Sequence, residues 1–434
     1  MDPVTVGIVG IGVLLLFFLL RMPVSFAMAF VGWVGYCYLG SPTAGSKLLV
    51  RDFFTVFSSY PLTVIPAFVL MGSYAFASGI SERLYKAAYD CFGQLRGGLA
   101  VTTVMTCAGF AAVCGSTSAT VATIGKIAYP EMKRYGYHDT LATGCIATAA
   151  TLGILIPPST IFIVYGILTE QSIGKLFIAG VLPGVLLATL LASTAMALSQ
   201  WKPHWGPAGP PTPWRKKLKA LGGVAEAFIL FGLTMGGLFA GWFTPTQAGS
   251  IGAIGALAIG LLRRNLRWDD FLSATMDGLR TSCMILFLIA GATVFGHFMA
   301  ITRIPFLLVE WVERLPLTPE AILAVICLFY IVGGCFIDAM ALVVLTVPII
   351  YPVILRLGFD PIWFGVIIVL VSQVGVVSPP VGVNVYVLKG IAPEVPLETI
   401  FKGSMPFLGA VILTIVVLIL FPDLATFLPK YVKW

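Results

Sequence analysis

The sequence predicts an all-α polytopic membrane protein. It is read as an inverted repeat with two re-entrant hairpins and two transmembrane helices broken by Pro-Pro. Three observations carry this reading. Hydrophobic residues make up 59% of the 434 and charged residues only 10%, where a soluble domain has roughly 25% charged, so a soluble fold could not cover its surface. Two apolar stretches are too long for one crossing and too short for two. The residues that punctuate the first half recur in the second at a constant offset.

Charge-free stretches parse the chain, because a spanning helix needs about 20 apolar residues. They fall at 3–20, 22–46, 53–81, 99–125, 140–169, 176–201, 227–262, 281–302, 361–388 and 403–422. The N-terminus has no basic n-region and no small-residue cleavage site, so the first run is expected to stay as a span. Segment 200–221 is rich in Pro and Gly and carries five Lys/Arg and no acid. The positive-inside rule places it in the cytoplasm, together with Arg263–Arg267. Residues 81–96 and 263–280 read as amphipathic helices on that surface. The excess of 26 Lys+Arg over 19 Asp+Glu reflects the same rule rather than nucleic-acid binding.

The awkward stretches run from Gly97 to Tyr129 and from Glu320 to Tyr351. Halved, each arm of the first reaches roughly 22 Å, short of a ~30 Å hydrocarbon core. Re-entrant hairpins fit, with tips at Gly115–Ser118 and Phe336–Ala339. Polar backbone at that depth must line a cavity or be buried in protein. Two further runs are interrupted by Pro157–Pro158 and Pro379–Pro380. Consecutive prolines break a helix, freeing carbonyls on one side and starting a new N-terminus on the other.

Setting residue n against n+222 aligns these features. Tyr129–Pro130 falls on Tyr351–Pro352, Gly136 on Gly358, Gly153 on Gly375, Pro157–Pro158 on Pro379–Pro380 and Ser116 on Asp338. Five crossings separate the hairpins, so the second enters from the opposite face. Inverted repeats with discontinuous helices at the midplane are the architecture of secondary transporters.

The chemistry agrees. No GxxxxGK[ST] motif is present, so ATP hydrolysis is not expected. The eight Cys form no CxxC, and the three His form no HExxH, which argues against zinc and any transition metal. A Ser116 or Ser118 nucleophile with His297 as base is the enzymatic rival. The tips suit a hard cation, since Gly/Ser/Thr turns beside broken helices offer hydroxyls and free carbonyls together. Sodium site one is expected to combine Gly115, Ser116 and Ser118 with the break at Gly153 and Pro157. Site two would combine Ile337 and Asp338 with Gly375, Ser378 and Pro379. Half-helix N-termini near Ser159 and Asn384, with Thr117 at the tip, are expected to face an anionic substrate. Asp338, an ionisable group deep in the membrane, is the sharpest candidate; a proton relay through it is the alternative coupling.

Residues Gly115–Thr120, Pro130–Met132, Gly136–Tyr137, LGILIPPS (152–159), Tyr165–Gly166, Ala179–Gly180 and Pro183–Gly184 also carry a resemblance. With Asp338, Pro348, Pro352 and SPPVG (378–382), they resemble the large, DctM-like membrane subunit of tripartite ATP-independent periplasmic (TRAP) transporters. FTPTQAGS (243–250) resembles the family's TPTEA element, with Gln247 where Glu is usual. The resemblance implies Na⁺-driven import of an organic anion across a bacterial inner membrane, without an organic cofactor. It implies two partners, a small four-helix membrane subunit and a periplasmic substrate-binding protein. It also implies an elevator, with scaffold helices at 1–60 and 222–262. The first repeat would span 61–199, the cytoplasmic linker 200–221, the second repeat 263–422 and a tail 423–434.

Overall fold

The computed structural model describes residues 2–432; Met1, and Lys433 and Trp434 at the end of the expected tail, lie outside the described residues. Helices α1 (Pro3–Leu19), α2 (Val24–Leu39) and α3 (Pro42–Phe57) open the chain. Asp2 and Ser41 cap α1 and α3 through their side chains, supplying acceptors to otherwise orphaned helix N–H groups. Then follow α4 (Val64–Ala77) and the amphipathic α5 (Ile80–Phe92), which leads into the first hairpin, α6 (Gly98–Cys114) and α7 (Thr117–Arg134). The first broken helix is α8 (Asp139–Ala149), prolonged by a 3₁₀ turn to Ile154, and α9 (Thr160–Leu168). Helix α10 (Ile173–Trp201) closes the first repeat.

Helix α11 (Trp214–Phe231) passes through a π turn at Gly232–Gly236 into α12 (Gly237–Phe239), and α13 (Pro245–Leu262) returns. The second half runs α14 (Trp268–Thr302), α15 (Ile304–Glu313), hairpin α16 (Pro319–Gly334) and α17 (Ala339–Arg356), broken helix α18 (Pro361–Val377) and α19 (Val383–Ile391), and α20 (Leu397–Leu420). Seven of these helical segments are long and apolar enough to cross a membrane.

The repeat is visible in the backbone. Helices α7 and α17 are offset by 222 residues at both ends, as are the starts of α8 and α18. Gly136 and Gly358 follow the hairpins with φ of 74° and 81°. That left-handed conformation favours glycine, so the same turn chemistry recurs at the same register. Both Pro-Pro bonds are cis. The repeats interlock where α8 packs against α20. A Cβ on Gly144 would collide with the Gly403 backbone, and one on Gly403 with Thr140 O. Across the same seam the Tyr129 phenol donates to Glu394 (2.5 Å), which holds that exposed carboxyl below its usual range.

Segment 263–280 departs from expectation. It is not a separate surface helix: 263–267 is a turn, and 268–280 is the first third of α14, a continuous helix of 35 residues. Its charges are a helix start: the Arg267 N–H donates to Asp270 (3.2 Å), and Asp269 and Asp270 sit in the first turn, where acids favour the helix dipole. The basic segment is non-helical only at 202–213, and it is strapped to the base of the first hairpin. His138 N–H donates to Trp205 O (3.0 Å), Gly97 N–H to Gly206 O (2.9 Å) and Gly209 N–H to Gly93 O (3.0 Å). Helix α5 is tied to α11 by Arg83–Glu226 (2.7 Å) and Asp90–Lys216 (3.2 Å).

Single cysteines at 202–213 are expected to label from the cytoplasmic side, and cysteines near Pro316 and Arg356 from the opposite side. If both hairpin bases label from one face, the repeat is not inverted.

Candidate functional site

The site is built at the two hairpin tips. Between α6 and α7 the chain turns through Gly115, at φ 66°, and Ser116 caps α7 by accepting from Ala119 N–H (3.4 Å). A Cβ on Gly115 would lie 2.6 Å from Pro158 O, and one on Gly153 would lie 2.8 Å from Ser116 O. Glycine is therefore required at both positions for the tip to seat against the break. The Thr160 hydroxyl donates to Gly115 O (3.0 Å), pinning the tip to the start of α9. The second tip repeats the plan with a carboxylate. Asp338 caps α17, accepting from Met340 N–H (3.0 Å), and a Cβ on Gly375 would collide with Gly334 and come within 2.7 Å of Cys335 N.

Both tips face one cavity of about 500 Å³. Ser116, Thr117, Ser118 and Asp338 line it, with Ala119, Ala122, Thr123 and Lys126 along α7 and Thr160 and Ile161 from α9. The opposite wall is Val69, Gly72, Ser73 and Phe76 of α4 and Ala274, Asp277, Thr281 and Met284 of α14. Spacings of three and four residues place Ala119, Ala122, Thr123 and Lys126 on one stripe of α7. At 1.5 Å per residue the backbone runs about 13 Å along α7 from Thr117 at the tip to Lys126.

Other expected site residues lie elsewhere. Ser159 is fully buried; its hydroxyl donates to Ile154 O (2.6 Å) and accepts from Phe162 N–H (3.3 Å), so it caps α9 and does not face the cavity. The hydroxyl beside the cavity is that of Thr160. Asn384 is also fully buried and donates from its amide to Ala147 O (3.0 Å), joining α19 to α8. Gly115, Gly153, Pro157, Gly375 and Ser378 shape the breaks without lining the cavity, and neither Ile337 nor Pro379 lines it. The first break is sealed, with Pro157 and Pro158 buried, whereas Pro379 and Pro380 are exposed. His297 is hydrogen-bonded to Asp52 (2.7 Å) between α3 and α14 and does not line the cavity, so Ser116 and Ser118 have no base from it.

Sequence reasoning missed Lys126, Thr160 and Asp277. Lys126 lies opposite Pro348 in the repeat register, so symmetry gives no hint of it. The available signal was the helical spacing from Ser116 and Ser118. Gln247 finds its explanation in a capping box: its N–H donates to the Thr244 hydroxyl (3.3 Å) and its side-chain oxygen accepts from Thr244 N–H (2.9 Å). A glutamate there would do the same.

Residues 11–424 match the family described as "Tripartite ATP-independent periplasmic transporter, DctM component". The chain is 34% identical over 394 residues to the C4-dicarboxylate TRAP transporter large permease protein DctM of Pseudomonas aeruginosa, covering 91% of each. It is 29% identical over 410 residues to the sialic acid TRAP transporter large permease protein SiaM of Vibrio cholerae, covering 94% of this chain and 95% of that one. The fold is similar to that of the YdaH transporter of Alcanivorax borkumensis, with a TM-score of 0.62 at 15% identity, over 90% of this chain and 88% of that one. The repeated hairpins, the paired breaks and these similarities agree: the chain is a transporter permease rather than an enzyme, and it belongs to the DctM family of large TRAP-transporter subunits.

Proposed function

We propose that this subunit imports a small organic anion across a bacterial inner membrane, driven by sodium. A periplasmic binding protein delivers the anion, and a small four-helix membrane subunit completes the permease. The observation that carries this reading is the facing of both repeat-related tips, Ser116–Ser118 and Asp338, into one cavity. Helix α7 starts at that cavity and α9 beside it, and helix N-termini favour anions. Asp338 and the hydroxyls of Ser116, Thr117 and Ser118 suit a hard cation. Nearby Na⁺ would offset the carboxylate that otherwise repels an incoming acid.

The cavity lies on the cytoplasmic side of the tips in this reading. Lys126 is nine residues from Thr117 toward the basic strap, and Asp277 is nine residues from the cytoplasmic start of α14. The described conformation is then the inward-open one. The hairpins, the broken helices, α10 and α20 form the moving body of an elevator. Helices α1–α3 and α11–α13 form the fixed wall, joined by α4 and α14, the first helices of the repeats 61–199 and 263–422, with 200–221 as the linker.

The test is uptake into proteoliposomes holding the chain co-purified with its small subunit and supplied with the binding protein. Uptake is expected under an inward Na⁺ gradient and absent under a proton gradient alone. The reverse result would favour proton coupling through Asp338.

A further inference from the structure

We propose that Lys126 holds the carboxylate of the transported acid and that the cavity is built for a monoanion with hydroxyl groups rather than for a dianion. This inference rests on the transport reading above. Lys126 is the single cation lining the cavity among the described residues, exposed to it, in the same lining as the tip hydroxyls. An ammonium within a membrane-embedded hairpin ordinarily finds a partner, because an unpaired charge there is costly. Neighbours on the same two helices are paired, Lys133 with Asp139 (2.8 Å) and Asp277 with Arg280 (3.8 Å). Among the described residues, no carboxylate lies within the 4.0 Å ion-pair distance of Lys126.

Charge arithmetic in the cavity then selects the ligand. One Lys faces two acids, Asp338 and Asp277, of which Asp277 is paired with Arg280 (3.8 Å) outside the lining. A single carboxylate seated on Lys126 leaves the rest of the molecule to extend toward Ser116, Thr117, Ser118 and Thr160, which offer hydroxyl donors and acceptors but no positive charge. A second carboxylate pointing that way would meet Asp338 with no cation of the protein to balance it. Na⁺ at Asp338 neutralises that acid without adding a site for a second anion. The run of about 13 Å along α7, less the reach of the lysine side chain, leaves room for a carbon chain of several atoms.

The experiment uses the full permease with its small subunit, and the binding protein is supplied wherever uptake is read. The probes are gluconate, glucuronate and N-acetylneuraminate as hydroxylated monocarboxylates, and succinate and malate as dicarboxylates. Each is read by thermal stabilisation of the purified complex in Na⁺ and by uptake. At least one monocarboxylate is expected to stabilise wild type and to enter with lower KM than either dicarboxylate. Lys126→Gln is expected to raise that KM at least tenfold with little change in kcat, and Lys126→Arg to keep it within a few-fold. Size-exclusion behaviour and co-purification with the small subunit verify the fold of both variants. An unchanged KM in Lys126→Gln overturns the assignment of Lys126. Preference for succinate or malate, or no stabilisation by any monocarboxylate, overturns the monoanion class. Uptake that depends on Lys126 but not on Na⁺ would sink the sodium reading and leave this one standing.

Discussion

Gly375→Val is expected to reduce uptake to about 1% of wild type or less while the protein still inserts and purifies as a monodisperse complex. Gly375 lies where α18 crosses the end of α16. Its missing side chain is what lets the two backbones touch: an added Cβ collides with Gly334 and falls 2.7 Å from Cys335 N. These are backbone atoms, so no rotamer change can relieve the contact. From the other side, a Cβ on Gly334 would meet the Gly375 Cα and Ser372 O at 3.2 Å. The hairpin end must therefore move, and Asp338 is three residues beyond Cys335. Overpacking of this kind costs about 1–3 kcal/mol, which a large membrane domain can survive. A site displaced by about an ångström is a different matter, because function depends on held geometry. Gly390→Ala is the control: it lies on α19 with nothing within 4 Å of an added Cβ, and it should transport normally. Normal uptake by Gly375→Val would show that the close approach of α18 to the hairpin is not needed for transport.

The contrast between Gly375 and Lys126 shows what the sequence reveals. Breaks, tips and repeat register are legible because each rests on local physics: two prolines stop a helix, and an apolar run of awkward length cannot cross twice. That is why Ser116 and Asp338 could be placed opposite each other before any coordinates, and why both prove to be helix caps as well as cavity residues. The cavity wall is not local. Lys126 faces it only because α4, some fifty residues upstream, and α14, some 150 downstream, arrive opposite α7. Ser159 and Asn384 show the opposite failure. Polar residues at a new helix start read as ligand-facing, yet the orphaned N–H and C=O groups of the broken helices need partners first. Ser159 answers that need within its own segment and Asn384 by reaching Ala147 on the other repeat. The charges of 267–270 mislead for a similar reason, since the residues that start a long helix resemble those on a surface helix.

Asp338→Asn is expected to raise the Na⁺ concentration for half-maximal uptake by about tenfold or more, with uptake partly recovered at high Na⁺. Asp338 does two jobs that the substitution separates. One carboxylate oxygen accepts from Met340 N–H at 3.0 Å and starts α17. Asparagine caps about as well as aspartate, so the tip should keep its shape. The other job depends on charge: the carboxylate is exposed to the cavity, the one Lys or Arg of its hairpin, Arg356, ends α17 and is paired with Glu313 (2.6 Å), and no ion pair within 4.0 Å reaches Asp338 among the described residues. A cation is the partner that an ionised group at that depth would hold. A tenfold loss corresponds to about 1.4 kcal/mol, the scale of one weakened charge–ion contact. Asp338→Ala removes the cap too and should add about 1 kcal/mol of instability, seen as a lower melting temperature that Asp338→Asn does not share. A proton relay predicts another pattern: Asp338→Asn dead at every Na⁺ concentration, and wild-type uptake driven by a pH gradient without Na⁺. Unchanged Na⁺ dependence in Asp338→Asn would leave Asp338 as a helix cap alone, and the cation would then belong to Ser116 and the first break.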